Sequence, residues 1–235
     1  MSLLALEQVS KRYRDGRREQ LVLSRATLEL SAGEVVFIYG ARRSGRTTLL
    51  RIAAGIDRPD SGRVLFDGHD LAPARERTLG TGIGYMQKTL RSSEEQGVID
   101  QVAAPLFARG VPVRDARERA RVALSRAGAE RCCARRVTEL GGGEIIRVAL
   151  ARTIALSPRL IVLDEPAAGV ELSERDEILT LLRALAAEGV AVLASTGEPA
   201  ELAGAHRALT LSDGELHGQR HEQLAQVVAL RRRSV

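Results

Sequence analysis

A chain of 235 residues suits one domain, or two intimate subdomains, with a sizeable core. Hydrophobic residues make up 44% and charged residues 28%, which predicts a soluble globular protein, and no apolar run approaches the roughly 18–20 residues that cross a bilayer. The net charge is +5, yet basic and acidic residues alternate along most of the helical patterns and aromatics are only 3%, so no nucleic-acid partner is expected.

All but two of the 35 basic residues are arginine, the lysines being Lys11 and Lys88. With so much alanine, this looks like a compositional habit of the genome. The start, Met1-Ser-Leu-Leu-Ala-Leu-Glu7, has no basic leader and an early acid, so no signal peptide is expected. Cys132 and Cys133 are sequence neighbours with no histidine at ligand spacing; neither a disulfide nor a zinc site is assigned, and a reducing cytosol fits.

In chain order, Leu4–Val9 alternates weakly and reads as a strand, Lys11–Gly16 as a turn-rich loop carrying Tyr13, and Leu21–Leu30 as a second strand. Val35–Tyr39 is a buried strand. A glycine-bounded loop follows it, then a helix that ends near Gly55. Pro59–Gly62 is a turn and Arg63–Gly68 a short strand. From Val98 to about Arg136 the pattern is helical, without a strand signal, and resembles an insertion. Leu140–Glu144 opens a helix to about Leu156; Leu160–Leu163 is a buried strand; Glu174–Glu188 is amphipathic; Val190–Ala194 is another buried strand; Ala208–Leu211 and Asp213–Leu216 form a final hairpin. Strands alternating with helices predict an α/β fold with a mostly parallel sheet, whose ligands sit at the carboxyl ends of the strands. Gly40, Asp164 and Ser195 all fall there.

The loop Gly40, Ala41, Arg42, Arg43, Ser44, Gly45, Arg46, Thr47, Thr48 fits the phosphate-binding template G-x-x-x-x-G-K-[ST] except at Arg46. Such a loop works because successive backbone N–H groups and a helix N-terminus converge on phosphate. Thr47 is placed to supply a hydroxyl to Mg²⁺. Downstream, the strand at Leu160–Leu163 ends in Asp164 and Glu165. The first acid suits the Mg²⁺ shell and the second a base that orients the attacking water.

Together with Gln87 and Leu140-Gly-Gly-Gly-Glu144, these segments resemble, in order, the nucleotide-binding subunits of ATP-binding cassette (ABC) transporters. The resemblance runs from Leu4 to about Leu216. Gln101–Gly110 and Ser61–Val64 resemble the branch that drives lipoprotein release and macrolide export and includes cell-division transporters. The resemblance implies a P-loop NTPase (RecA-like) parallel sheet core, an antiparallel β subdomain and an inserted α-helical subdomain. One ABC ATPase domain would cover residues 1–220, with its core at about 1–88 and 146–220 and the helical subdomain at about 89–145; residues 221–235 would be a C-terminal helix or tail. It also implies ATP and Mg as cofactors. Tyr13 would stack on adenine. Thr47, Gln87 and Asp164 would attend the metal, and Gln87 and Glu165 the catalytic step. Leu140, Gly141, Gly142, Gly143 and Glu144 would serve the partner subunit's nucleotide. Partners would be a transmembrane permease and a second ATPase subunit, on the cytoplasmic side of the cell membrane.

Five positions depart from that pattern. Arg46 replaces lysine, and its long forked side chain does not suit a pocket built for a compact ammonium; Arg42 and Arg43 either compensate or face solvent. Gly141 replaces the signature serine and Glu144 its glutamine, a carboxylate that would repel phosphate if it faced the site. Glu171 replaces an aspartate, and Gly197 a histidine. His206 is not expected to substitute, since the chain there should already be in a helix. Arg46 by itself is also explained by drift in an arginine-rich chain. Taken together, the five suggest a degenerate subunit paired with an intact one. The alternatives are an active homodimeric ATPase, and a soluble ABC-type regulator without a permease.

Overall fold

The computed structural model describes residues 2–16, 18–71, 82–87 and 96–218. Its strands are Ser2–Asp15 (β1), Arg18–Ser31 (β2), Val35–Tyr39 (β3), Ser61–Phe66 (β4), His69–Asp70 (β5), Ile83–Met86 (β6), Leu160–Leu163 (β7), Ala191–Thr196 (β8), Arg207–Ser212 (β9) and Glu215–Gly218 (β10). Its α-helices are Arg46–Ala53 (α1), Val98–Phe107 (α2), Val113–Arg126 (α3), Gly142–Ile154 (α4) and Leu172–Ala187 (α5).

Among the described residues the main sheet has six strands in the order β10-β9-β3-β8-β7-β6. Strand β3 runs parallel to β8 and β9, and β7 parallel to β8 and β6; β10 alone turns back, as a hairpin on β9. The long apolar runs at Val35, Leu160 and Ala191 are therefore central strands covered on both faces. Their side chains split by the two-residue period. Phe37, Ile161, Leu163 and Ala194 face helices α2 to α5, while Val36, Ile38, Val162 and Leu193 face α1 and the second sheet. That second sheet is antiparallel, in the order β2-β1-β4-β5. The result is a mixed α/β P-loop NTPase fold with an antiparallel β layer and, between β6 and β7, helical parts. No described helix is long and apolar enough to cross a membrane.

Two sequence expectations need correction. Lys11–Asp15 is not loop: β1 continues through it, pairing Tyr13 with Gln20 and Arg14 with Glu19. Register shifts at Leu6/Val9, Val9/Lys11 and Lys11/Arg12 break the alternation that would have marked a strand. Cross-strand charge pairs such as Arg14–Glu19, 2.6 Å apart, hold its exposed end. His206 is not in a helix either. A short 3₁₀ segment, Pro199–Gly204, brings the chain straight back to the sheet, and His206 Nδ1 accepts the N–H of Val35 at 2.9 Å. That is the amino end of β3, opposite the loop at Gly40. Part of the segment expected to follow Gln87, residues 88–95, and the tail at 219–235 lie outside the described residues.

Candidate functional site

The loop between β3 and α1 is shaped by two glycines. At Gly40 a Cβ would stand 2.6 Å from Ser44 Oγ and 2.7 Å from the Leu211 carbonyl, so only glycine fits the close approach. Gly45 caps α1 with φ at 102°, a left-handed conformation that glycine adopts without strain. The first turn of α1 has neither a capping side chain nor an acid. Its amides keep their partial positive charge for an anion. This loop bounds a cavity of about 800 Å³, with Tyr13 and Gln20 of the β1–β2 hairpin on one side and Asp164 and Glu165 on the other. Tyr13 is 43% exposed, with Lys11 Nζ 5.7 Å from its ring centroid.

Asp164 follows β7 and is buried. Each of its carboxylate oxygens takes one hydroxyl: Thr47 Oγ1 donates to Oδ2 at 2.8 Å and Ser195 Oγ to Oδ1 at 2.7 Å. Ser195 also accepts the Glu165 N–H at 3.0 Å. This bond holds Glu165 in the left-handed region, at φ 50°, an uncommon place for a side chain and a mark of functional sites. The sequence places Ser195 at the ligand-bearing end of a strand but gives its side chain no task. Its signal was register, because Leu163 pairs with Ala194 and the residues that follow both strands stand side by side.

Arg46 is the main surprise. It does not reach into the loop's cavity alone. Its side chain is 7% exposed, and Nη2 donates to Glu165 Oε1 at 2.7 Å. Nη1 is buried without a hydrogen-bond partner among the described residues. The guanidinium stands between the loop cavity and a second one of about 340 Å³, bounded by Gly40, Gly197, Arg175 and Glu201. Glu201 is 2% exposed and 3.7 Å from Arg175; burial pushes its carboxyl above the ordinary value. Arg42 and Arg43 are exposed.

The segment Leu140–Glu144 forms the start of α4. Gly141 and Gly142 are exposed and Gly143 is buried against Glu174. Gly142 lies beside the loop after β7: its Cβ position is 3.9 Å from the Gly169 carbonyl. Glu144 does not project freely. It accepts the Gly141 N–H at 2.9 Å and pairs with Arg135 at 2.6 Å. These bonds, the backbone one first, hold its carboxyl below the usual range. Glu171 precedes α5 as its N-cap and is exposed, and Gln87 is exposed at the carboxyl end of β6.

The donor set fits the groups that the fold implies. Thr47 and Asp164 bring two hard oxygen groups side by side, 2.8 Å apart, and hard oxygens are the ligands Mg²⁺ takes. The uncapped α1 amides and glycine loop fit a polyphosphate.

A phosphate-type loop after β3, an acid pair after β7 and a parallel sheet joining them define a P-loop nucleotide-binding cassette. The family model for ABC transporters matches residues 23–168. The chain belongs to the ABC transporter family, as an ATP-binding cassette. It is 35% identical to the lipoprotein-releasing system ATP-binding protein LolD of Chromohalobacter salexigens, over 91% of this chain and 92% of that one. It is 33% identical to the cell division ATP-binding protein FtsE of Escherichia coli, over 92% of this chain and 98% of that one. Among solved structures, the dimeric bacterial ABC transporter cassette MJ0796 superposes with a TM-score of 0.83 at 28% identity, covering 91% of this chain and 96% of that chain. The same cassette is also known in a post-hydrolysis state bound to ADP and Pi.

Proposed function

We propose that this chain is a nucleotide-binding subunit that docks on a transmembrane permease at the cytoplasmic side of the membrane. It pairs there with a second, intact ATPase subunit and contributes little hydrolysis at its own loop. The observation that carries this reading is the 2.7 Å contact between Arg46 and Glu165. The acid suited to orient the attacking water is held by the cation that occupies the phosphate loop's lysine position.

The residues divide the work as follows. Gly40 to Thr48 wrap the phosphates through backbone amides. Tyr13, on the cavity wall, offers its ring to the base. Thr47, Asp164 and Gln87 hold Mg²⁺, which when bound neutralises phosphate charge and fixes its geometry. Ser195 orients Asp164 and the Glu165 backbone together. Leu140 to Glu144 present amides to the partner's nucleotide. Gly141 offers no hydroxyl there, and its own N–H is taken by Glu144. Each missing or diverted group costs about 10²–10³-fold in rate at a preorganised site, so the departures together leave weak turnover.

Purification from native membranes with a tag on this chain tests the reading. A permease and a second, different ATPase subunit in the complex support it. Recovery of this chain only with copies of itself contradicts the pairing. An active homodimer is favoured by one observation, the intact Thr47–Asp164 contact. ATP turnover by the isolated chain, abolished by Glu165→Gln, is its signature.

A further inference from the structure

Gly197 follows β8, and its backbone is not in the left-handed region, so no turn geometry there calls for glycine. Space does. A Cβ at 197 would stand 3.4 Å from Arg46 Nη1, 3.6 Å from Nη2 and 3.9 Å from Cζ. A methyl fits at van der Waals contact. A larger side chain there would compete with the guanidinium for the space on that side. Across that guanidinium lies Glu165, and Nη1, on the side toward Gly197, has no hydrogen-bond partner among the described residues. Two departures that look unrelated in sequence, at 46 and at 197, therefore meet in space.

We propose that Arg46 and Gly197 are a matched pair that closes the site on itself. The missing side chain at 197 lets Arg46 lie back across Glu165. The acid is released only when an anionic ligand draws the guanidinium into the loop. Gly197 is thus a positioning residue acting through Arg46. The release step rests on the proposed reading of the loop as a phosphate site; the pairing does not.

Two physical points support the release. The planar, weakly hydrated guanidinium fork matches phosphate as well as carboxylate, so an incoming phosphate competes with Glu165 for the same donors. A buried guanidinium with one unpaired nitrogen carries an unmet desolvation cost, which a phosphate oxygen can offset.

The test is a double-mutant cycle on the whole chain: wild type, Arg46→Lys, Gly197→Val and the double variant, read by thermal unfolding without nucleotide. Gly197→Ala serves as the size control. The expected results are a change of about 1 °C or less for Gly197→Ala and a fall of about 5 °C for Gly197→Val in the arginine background. In the lysine background Gly197→Val should lower Tm by about 1–2 °C, since the shorter side chain vacates the space. If Gly197→Val does not fold, a folded Arg46→Lys/Gly197→Val protein is the expected rescue, and an unfolded one overturns the pairing. Additive shifts overturn it too. Repeating the cycle with a saturating non-hydrolysable ATP analogue and Mg²⁺ should shrink the coupling as Arg46 leaves Gly197; an unchanged coupling overturns the release step. Failure of the wild-type chain to bind the analogue at all would instead count against the phosphate-site reading, leaving the nucleotide-free cycle to judge the pair.

Discussion

Replacing Ser195 with alanine removes one oxygen and adds no volume. That oxygen is fully buried and engaged twice, donating to Asp164 Oδ1 at 2.7 Å and accepting the Glu165 N–H at 3.0 Å. A hydrogen bond to an ionised carboxylate contributes about 1.5–3 kcal/mol, and a buried N–H left without a partner costs about 1–3 kcal/mol. The two losses share one atom and overlap in part, so Ser195→Ala should cost about 2–4 kcal/mol. For a chain of this size that is a fall in Tm of about 5–15 °C. The assay is thermal unfolding without nucleotide, beside Ser125→Ala on the exposed side of α3, which should stay within about 0.5 kcal/mol of wild type. Mg²⁺-dependent nucleotide affinity should fall with stability, because Asp164 loses one of the two hydroxyls that orient it. A Ser195→Ala protein that melts within about 1 °C of wild type would refute the claim that this hydroxyl organises both acids.

Three other outcomes follow from the same geometry. Arg46→Met removes the cation paired with the part-buried Glu165, with side chains 7% and 17% exposed, and should cost about 2–4 kcal/mol, whereas Arg159→Met breaks an exposed pair with Asp67, with side chains 57% and 53% exposed, and should cost less than about 1 kcal/mol; equal costs in urea unfolding would contradict the burial argument. Thr47→Val removes one hydroxyl from the buried Asp164 carboxylate and should cost about 1–2 kcal/mol, less than Ser195→Ala because Thr47 is itself exposed and makes one such bond rather than two, and it should weaken Mg²⁺-dependent binding of an ATP analogue by about tenfold or more; thermal unfolding and calorimetry with and without Mg²⁺ read this. Burial raises the Glu201 carboxyl above its unfolded value, so its favourable contribution is complete below the unfolded value and is lost as pH rises through the folded one. Glu201→Gln should therefore match wild type near pH 4 and gain on it toward pH 8 in urea unfolding. A gap that is largest at low pH has the wrong sign for this account.

Much of the fold was legible because it depends on runs of one-dimensional pattern. Val35–Tyr39, Leu160–Leu163 and Ala191–Ala194 are continuous apolar stretches, and only central parallel strands bury both faces. Gly40 and Gly45 stood out because their spacing fits the phosphate-loop template, and the structure gives each its reason, close approach at Gly40 and a left-handed backbone at Gly45. What stayed hidden depends on register or on side-chain direction. The far end of β1 was lost behind its bulges. The role of Ser195 depends on which strand lies beside β7, and sheet order is not written in any local pattern. Arg46 was recognised as the wrong residue for its position, but its identity says nothing of where a guanidinium on a long stem comes to rest. Glu144 shows the opposite limit. Its charge suggested repulsion toward a phosphate, but the Gly141 amide and Arg135 turn it back along its own helix.

The central claim is that this chain's own site contributes little of the turnover of its complex. The most direct measurement is the steady-state ATPase rate of the purified complex, with the catalytic acid of each subunit changed to glutamine in turn. Glu165→Gln should leave most of the rate, a change of less than about twofold, while the same change in the partner subunit lowers it by about 10²-fold or more. Equal losses from the two substitutions would contradict the account.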